Sequence, residues 1–125
     1  MNKRPLGRSG IDIEPLVFGG NVFGWTLPED KAFAVLDAYV DHGFTAIDTA
    51  DVYGKGVSET IIGKWMKARG NRAGLHIFTK LGSEMAPGKK GLKAPYVKQA
   101  VEDSLSRLQT DYIDLYQIHR FDYAT

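Results

Sequence analysis

The sequence predicts an α/β fold, the N-terminal half of a (β/α)8 TIM barrel, with four parallel strands, three intervening helices and a short β-hairpin in front. Three observations carry this. Strand-like apolar runs alternate with stretches of helical period in the order β(αβ) three times over, which calls for a parallel sheet with helices outside it. Ionisable side chains, Asp48, Lys80 and His119, stand at the carboxyl ends of three consecutive runs, with Tyr53 in the loop after the first of them. That face is where barrels of this kind gather their chemistry. Finally, 125 residues suffice for one domain but not for eight strand-helix units. Residues 1–125 are therefore expected to form a partial barrel domain whose C-terminal half is absent.

The elements follow in order along the chain. Leu6 to Ile13 reads as a hairpin because Ser9-Gly10 supplies turn chemistry between two small apolar segments. Pro15 to Phe18 is an apolar run stopped by Gly19-Gly20, suited to a strand buried on both faces. A helix is expected from Thr26, with Thr26 and Glu29 as a capping box and Ala32, Phe33, Leu36, Tyr39 and Val40 as its apolar stripe. His42 suits the negative end of that helix dipole, and Gly43 is its natural stop. Thr45 to Asp48 is the second strand. The next helix is read as capped by Ser58, with Ile61, Ile62, Trp65 and Met66 inward and Gly70 and Gly74 bracketing its exit. Leu75 to Lys80 is the third strand, followed by a Gly-, Lys- and Pro-rich loop from Gly82 to Ala94 of a length that is usually functional or mobile. Pro95 opens a helix in which Val97, Ala100, Val101, Ser104, Leu105 and Leu108 recur at helical spacing. Tyr112 to His119 is the fourth strand.

Composition narrows the function classes. With 16 Lys and Arg against 15 Asp and Glu there is no field to favour nucleic acid or an anionic membrane. The absence of cysteine excludes disulfides, thiolate catalysis and Cys-ligated zinc, and fits a cytoplasmic location. No apolar run approaches membrane-spanning length, and the basic start, Lys3, Arg4 and Arg8, leads into Gly10, Asp12 and Glu14 rather than into a signal peptide's apolar core.

Strand alternation adds detail to the chemistry. If Lys80 faces inward, so do Phe78 and His76, while Ile77 and Thr79 face the helices; His119 shares its face with Gln117, Leu115 and Ile113, and Asp48 with Ala46. A phenol is a poor acid near neutrality, with an ordinary pKa of about 10. A lysine in contact favours the phenolate, an aspartate keeps the lysine charged, and a histidine nearby can orient a carbonyl or join the relay. Other readings weigh against these. Gly19 to Gly24 lacks both the P-loop ending and the dinucleotide pattern and is better read as a turn. His76 is read as a histidine of the barrel floor, and Lys89, Lys90 and Lys93 as solvating their loop. Phe23 and Trp25 either wall an apolar substrate pocket or pack beneath the loop. Asp48, Asp51, Glu59 and His119 lack the paired histidines and ligand spacing of a metal hydrolase, so no metal is expected.

Gly43-Phe44-Thr45-Ala46-Ile47-Asp48-Thr49-Ala50-Asp51-Val52-Tyr53-Gly54, Ser58-Glu59, Ile62-Gly63, Ile77-Phe78-Thr79-Lys80, and Asp103 to Leu108 running into Asp111 to His119 closely resemble the aldo-keto reductase superfamily. The resemblance runs from Leu6 to nearly the last residue. It implies a catalytic tetrad of Asp48, Tyr53, Lys80 and His119, and hydride transfer from NADPH, or NADH, to an aldehyde or ketone. Tyr53 would be the general acid, Lys80 and Asp48 its tuning pair, and His119 the carbonyl-orienting group. It also implies that Gly20, Asn21, Val22, Phe23 and Asp48 touch the nicotinamide side of the cofactor. Similar proteins continue for four more strand-helix units, which carry most of the cofactor grip. A non-catalytic fragment or a nicotinamide-binding subunit is the alternative, and self-association through the open edges at Pro15–Phe18 or Tyr112–His119 is one physical remedy for an open half-barrel.

Overall fold

The computed structural model describes residues 1–125. A two-stranded antiparallel hairpin, β1 (Arg4–Pro5) and β2 (Asp12–Ile13), precedes a parallel four-stranded sheet. The sheet is built from β3 (Phe18–Gly19), β4 (Ala46–Asp48), β5 (His76–Leu81) and β6 (Leu115–Ile118), in that spatial order. Between successive strands run α1 (Glu29–Asp41), α2 (Val57–Arg69) and α3 (Ala94–Leu108). Spatial order thus equals chain order, as in one arc of a (β/α) barrel.

The core lies between the sheet and its helices. Ile47 and Ile77, which alternation points outward, join Ala32, Leu36 and Tyr39 of α1 and Ile61, Ile62, Trp65 and Met66 of α2 in one buried cluster. Phe33 and Val40 pack against its margin. Gly63 permits the tightest helix contact: a Cβ there would lie 2.2 Å from the Arg107 carbonyl oxygen and 2.8 Å from Leu108 Cα, so α2 and the end of α3 meet backbone to backbone. The hairpin is tied to the bottom of the sheet. Glu14, just past β2, accepts a hydrogen bond from Thr45 Oγ1 (2.7 Å), and Thr45 also lies 3.3 Å from His76 Nδ1.

Four sequence expectations need correction. The first strand is not buried on both faces: Leu16 and Val17 are exposed, and only Phe18 and Gly19 pair with Ile47 and Asp48, because this strand is an edge. The Thr26–Glu29 capping box does not form. The helix starts at Glu29 with Pro28 at its N-cap and no side-chain cap, since proline supplies the pre-helical φ and Thr26 lies two positions too early. Ser58 is not an N-cap either. Gly56 takes that place in a left-handed conformation, and Ser58 is buried in the first turn of α2. The last strand is shorter than Tyr112–His119, because Asp114 turns its side chain onto the Ile77 amide and Arg72 before pairing begins.

Candidate active site

The carboxyl ends of β4, β5 and β6 set the height of each polar side chain. Asp48 is level with Phe78, and Lys80 is level with Gln117. Beyond Asp48 the backbone continues along β5, with the Thr49 amide donating to the Phe78 carbonyl (2.8 Å) and the Asp51 amide to the Lys80 carbonyl (3.2 Å). It then reverses through Gly54, Lys55 and Gly56, all at positive φ, into α2. This left-handed run, which glycine adopts without steric cost at two of its three positions, returns the Tyr53 phenol over the strand ends. Ser58 braces the turn by donating to the Gly20 carbonyl (2.7 Å) while lying 2.8 Å from Thr49 Oγ1.

Lys80 is the hub. Its ammonium donates to Asp48 Oδ2 at 2.7 Å, to the Thr49 carbonyl at 2.8 Å and to the Tyr53 hydroxyl at 3.3 Å. A lysine has three N–H donors and no acceptor, so every one is spent. The other oxygen of Asp48 accepts from Gln117 Nε2 at 2.9 Å. His119 is anchored where the ladder ends by its amide, which donates to the Leu81 carbonyl (2.9 Å), and its ring meets Tyr53 edge to face at 5.8 Å between centroids. Its Nδ1 is buried without a partner within the chain. Burial, followed by the positive charges of Lys80 and Arg120, pushes the His119 imidazole below its usual range, and Asp48 opposes the shift. At neutral pH it is an uncharged ring with one N–H to donate.

The arrangement suits proton delivery to an oxygen at the mouth. Tyr53 has a phenolic proton to give, the adjacent ammonium can stabilise the negative charge that its departure would leave, and His119 offers a second donor. The structure therefore brings Asp48, Tyr53, Lys80 and His119 together. Gly20 joins them through its amide, which donates to the Asp48 carbonyl (2.9 Å). A Cβ on Gly20 would fall 3.0 Å from Ser58 Oγ, so glycine keeps this loop low beside the strand ends. Asn21 is exposed next to it and Val22 is half-buried against the core. Phe23 is fully buried with its ring 5.5 Å from Phe18, which is the packing alternative rather than a pocket wall, and Trp25 is 76% exposed to solvent.

Two features escaped the sequence reading. Alternation places Gln117 on the inner face but does not link it to Asp48, a contact that spans β5 and is set by the strand register. Behind the site, Asp51 and Glu59 are both buried, with Glu59 accepting from Thr79 Oγ1 (2.7 Å) and Arg107 Nε (2.8 Å). A small cavity of about 160 Å³ between Asp51, Tyr96, Asp103 and Arg107 adjoins this pair.

Comparison with known proteins agrees with the geometry. Over 123 residues the chain is 39% identical to the uncharacterized oxidoreductase YqkF of Bacillus subtilis, spanning 95% of this chain and 39% of that one. It is 52% identical over 93 residues to an uncharacterized 11.2 kDa protein of Pseudescherichia vulneris, covering 68% of this chain and 90% of the relative. Among solved structures, the holo form of the aldo-keto reductase AKR11C1 from Bacillus halodurans superposes with a TM-score of 0.81 at 42% identity, over 94% of this chain and 40% of that one. The chain thus spans about 40% of the length of both longer proteins. The sequence pattern of the aldo/keto reductase family matches residues 15–125, and the chain belongs to that family.

Proposed function

We propose that this chain carries the proton-transfer machinery of an NADPH-dependent oxidoreductase that reduces an aldehyde or ketone to an alcohol, with Tyr53 as general acid. The observation that supports this reading most strongly is the Lys80 ammonium held between Asp48 and Tyr53 with all three donors engaged. NADPH, or NADH, supplies the hydride when bound. The residues at the mouth fit one end of such a cofactor: Asn21 offers an exposed amide, the glycine loop lies low beside it, and Asp48 closes the floor. Val22 is a further candidate contact, whereas Phe23 would contribute through its backbone, its ring being buried.

Each residue then has a role. His119 donates its N–H to the carbonyl oxygen and orients it. Tyr53 transfers its proton to that oxygen as the alcohol forms, and Lys80, held by Asp48, stabilises the phenolate until a proton returns. The two free sheet edges, β3 and β6, pair in this reading with further strands of the same polypeptide or with a second copy of the chain. A cytoplasmic location belongs to the same reading. No helix is long and apolar enough to cross a membrane.

The test is NADPH titration of the purified chain, with its oligomeric state recorded, followed by cofactor oxidation in the presence of a panel of aldehydes and ketones. Saturable binding and turnover are expected. Tyr53→Phe should lower turnover by roughly 10²–10⁴-fold while leaving binding intact. Binding without turnover would make this polypeptide a nicotinamide-binding module, and no binding by a folded chain would remove cofactor chemistry from it.

A further inference from the structure

Resting on that reading, we infer that Gln117 is a positioning residue of the proton relay, fixing the plane of the Asp48 carboxylate so that Lys80 is aimed at Tyr53. Gln117 lies on β6 two residues before His119 and therefore on the same face, and it is level with Lys80 across the β5–β6 ladder. From there its amide crosses β5 to reach Asp48 on β4 at 2.9 Å. An ionised carboxylate only accepts hydrogen bonds, so the nitrogen end of the amide must face Asp48.

The Asp48 carboxylate is attached through a broad, two-fold torsion, and one hydrogen bond alone does not stop it turning. With Gln117 on Oδ1 and Lys80 on Oδ2, both oxygens are engaged by donors on different strands, and rotation must break one bond or the other. Without the amide, Oδ1 is free to compete for the ammonium. The three bonds made by Lys80 are unequal, at 2.7 and 2.8 Å to Asp48 and Thr49 but 3.3 Å to Tyr53, so a swing of the ammonium is felt first at the phenol. Gln117 thus acts on the acid through two intermediaries.

The experiment compares wild type with Gln117→Met, which keeps bulk without donors, and Gln117→Glu, which keeps shape but donates only when protonated. In ¹⁵N-lysine-labelled protein the Lys80 ammonium, identified by its loss in Lys80→Met, should give a slowly exchanging signal in the wild type. That signal should broaden in Gln117→Met at every pH and return in Gln117→Glu as the pH falls. In the reductase assay, Gln117→Met should lower kcat about tenfold, as expected for one charge-assisted hydrogen bond, with the KM for the carbonyl substrate unchanged. A Lys80 signal equally sharp in Gln117→Met, in protein whose amide fingerprint shows it folded, would overturn the inference. So would the absence of a protected Lys80 signal from folded wild type. If the wild type does not turn over, the reductase reading fails for this chain, and the ammonium signal still decides the role of Gln117.

Discussion

Two ion pairs sit on opposite sides of one strand and serve different ends. Thr79 and Lys80 are neighbours on β5, and their side chains leave opposite faces of the sheet. Inward, Lys80 pairs with Asp48 at 2.7 Å, with side chains 13% and 29% exposed. Outward, Thr79 and Arg107 both bind Glu59, which is fully buried, the Arg107 contact being 2.8 Å. The inner pair is open at the strand ends, where an acid can exchange its proton. The outer pair is closed, and it fastens α2 to α3 and to β5. Each carboxylate accepts from two side chains, so burial, not the number of donors, separates the reactive pair from the structural one.

Breaking the inner pair should show the largest effect, and in rate. Lys80→Met is expected to slow carbonyl reduction by about 10²–10⁴-fold while changing unfolding free energy by only about 1 kcal/mol, since the pair is partly wet. Parallel kinetics and urea unfolding check this, and a loss of stability as large as the loss of rate would abolish the distinction. The outer pair should show the reverse. Glu59→Gln removes the carboxylate that Arg107 is hydrogen-bonded to and should destabilise by about 3 kcal/mol, with kcat little changed in whatever protein remains folded.

A pH scan sharpens the comparison further. Burial first, and the charge of Glu59 second, push the Asp51 carboxyl from 3.8 up to about 6, and one of its oxygens has no partner. Between those values the folded chain keeps a proton that the unfolded chain has released, so stability falls as the pH rises from about 4 to about 6 and then levels. At 1.36 kcal/mol per pH unit the whole effect is about 3 kcal/mol at most. Asp51→Asn should therefore match the wild type near pH 4 and exceed it by up to about 3 kcal/mol at pH 7. Denaturant midpoints that differ equally at both pH values would show that the carboxyl does not titrate in this window.

The inner face was the more legible of the two. Alternation along three strands placed Asp48, Lys80 and His119 on one side, and a strand's two-residue period leaves little freedom once one member is fixed. The apolar stripes of α1 and α2 were equally readable, because Leu36, Ile62 and Trp65 have no other place to bury. What failed was local capping. Ser58 and Thr26 look like caps in isolation, but Gly56 and Pro28 set the backbone at those helix starts. Ser58 was drawn instead to Gly20, a partner distant in sequence. Phe23 keeps two readings in the sequence and Gln117 no partner, because what each touches depends on the three-dimensional arrangement of neighbouring segments, which one-dimensional periodicity does not carry.

Asp48, Tyr53, Lys80, Gln117 and His119 all come from β4, β5, β6 and the segments just beyond them, with nothing borrowed from a distant part of the polypeptide. The relay is consequently heritable as one uninterrupted block. A recombination joint placed before Asp48 or after His119 therefore separates no member of the proposed relay from another.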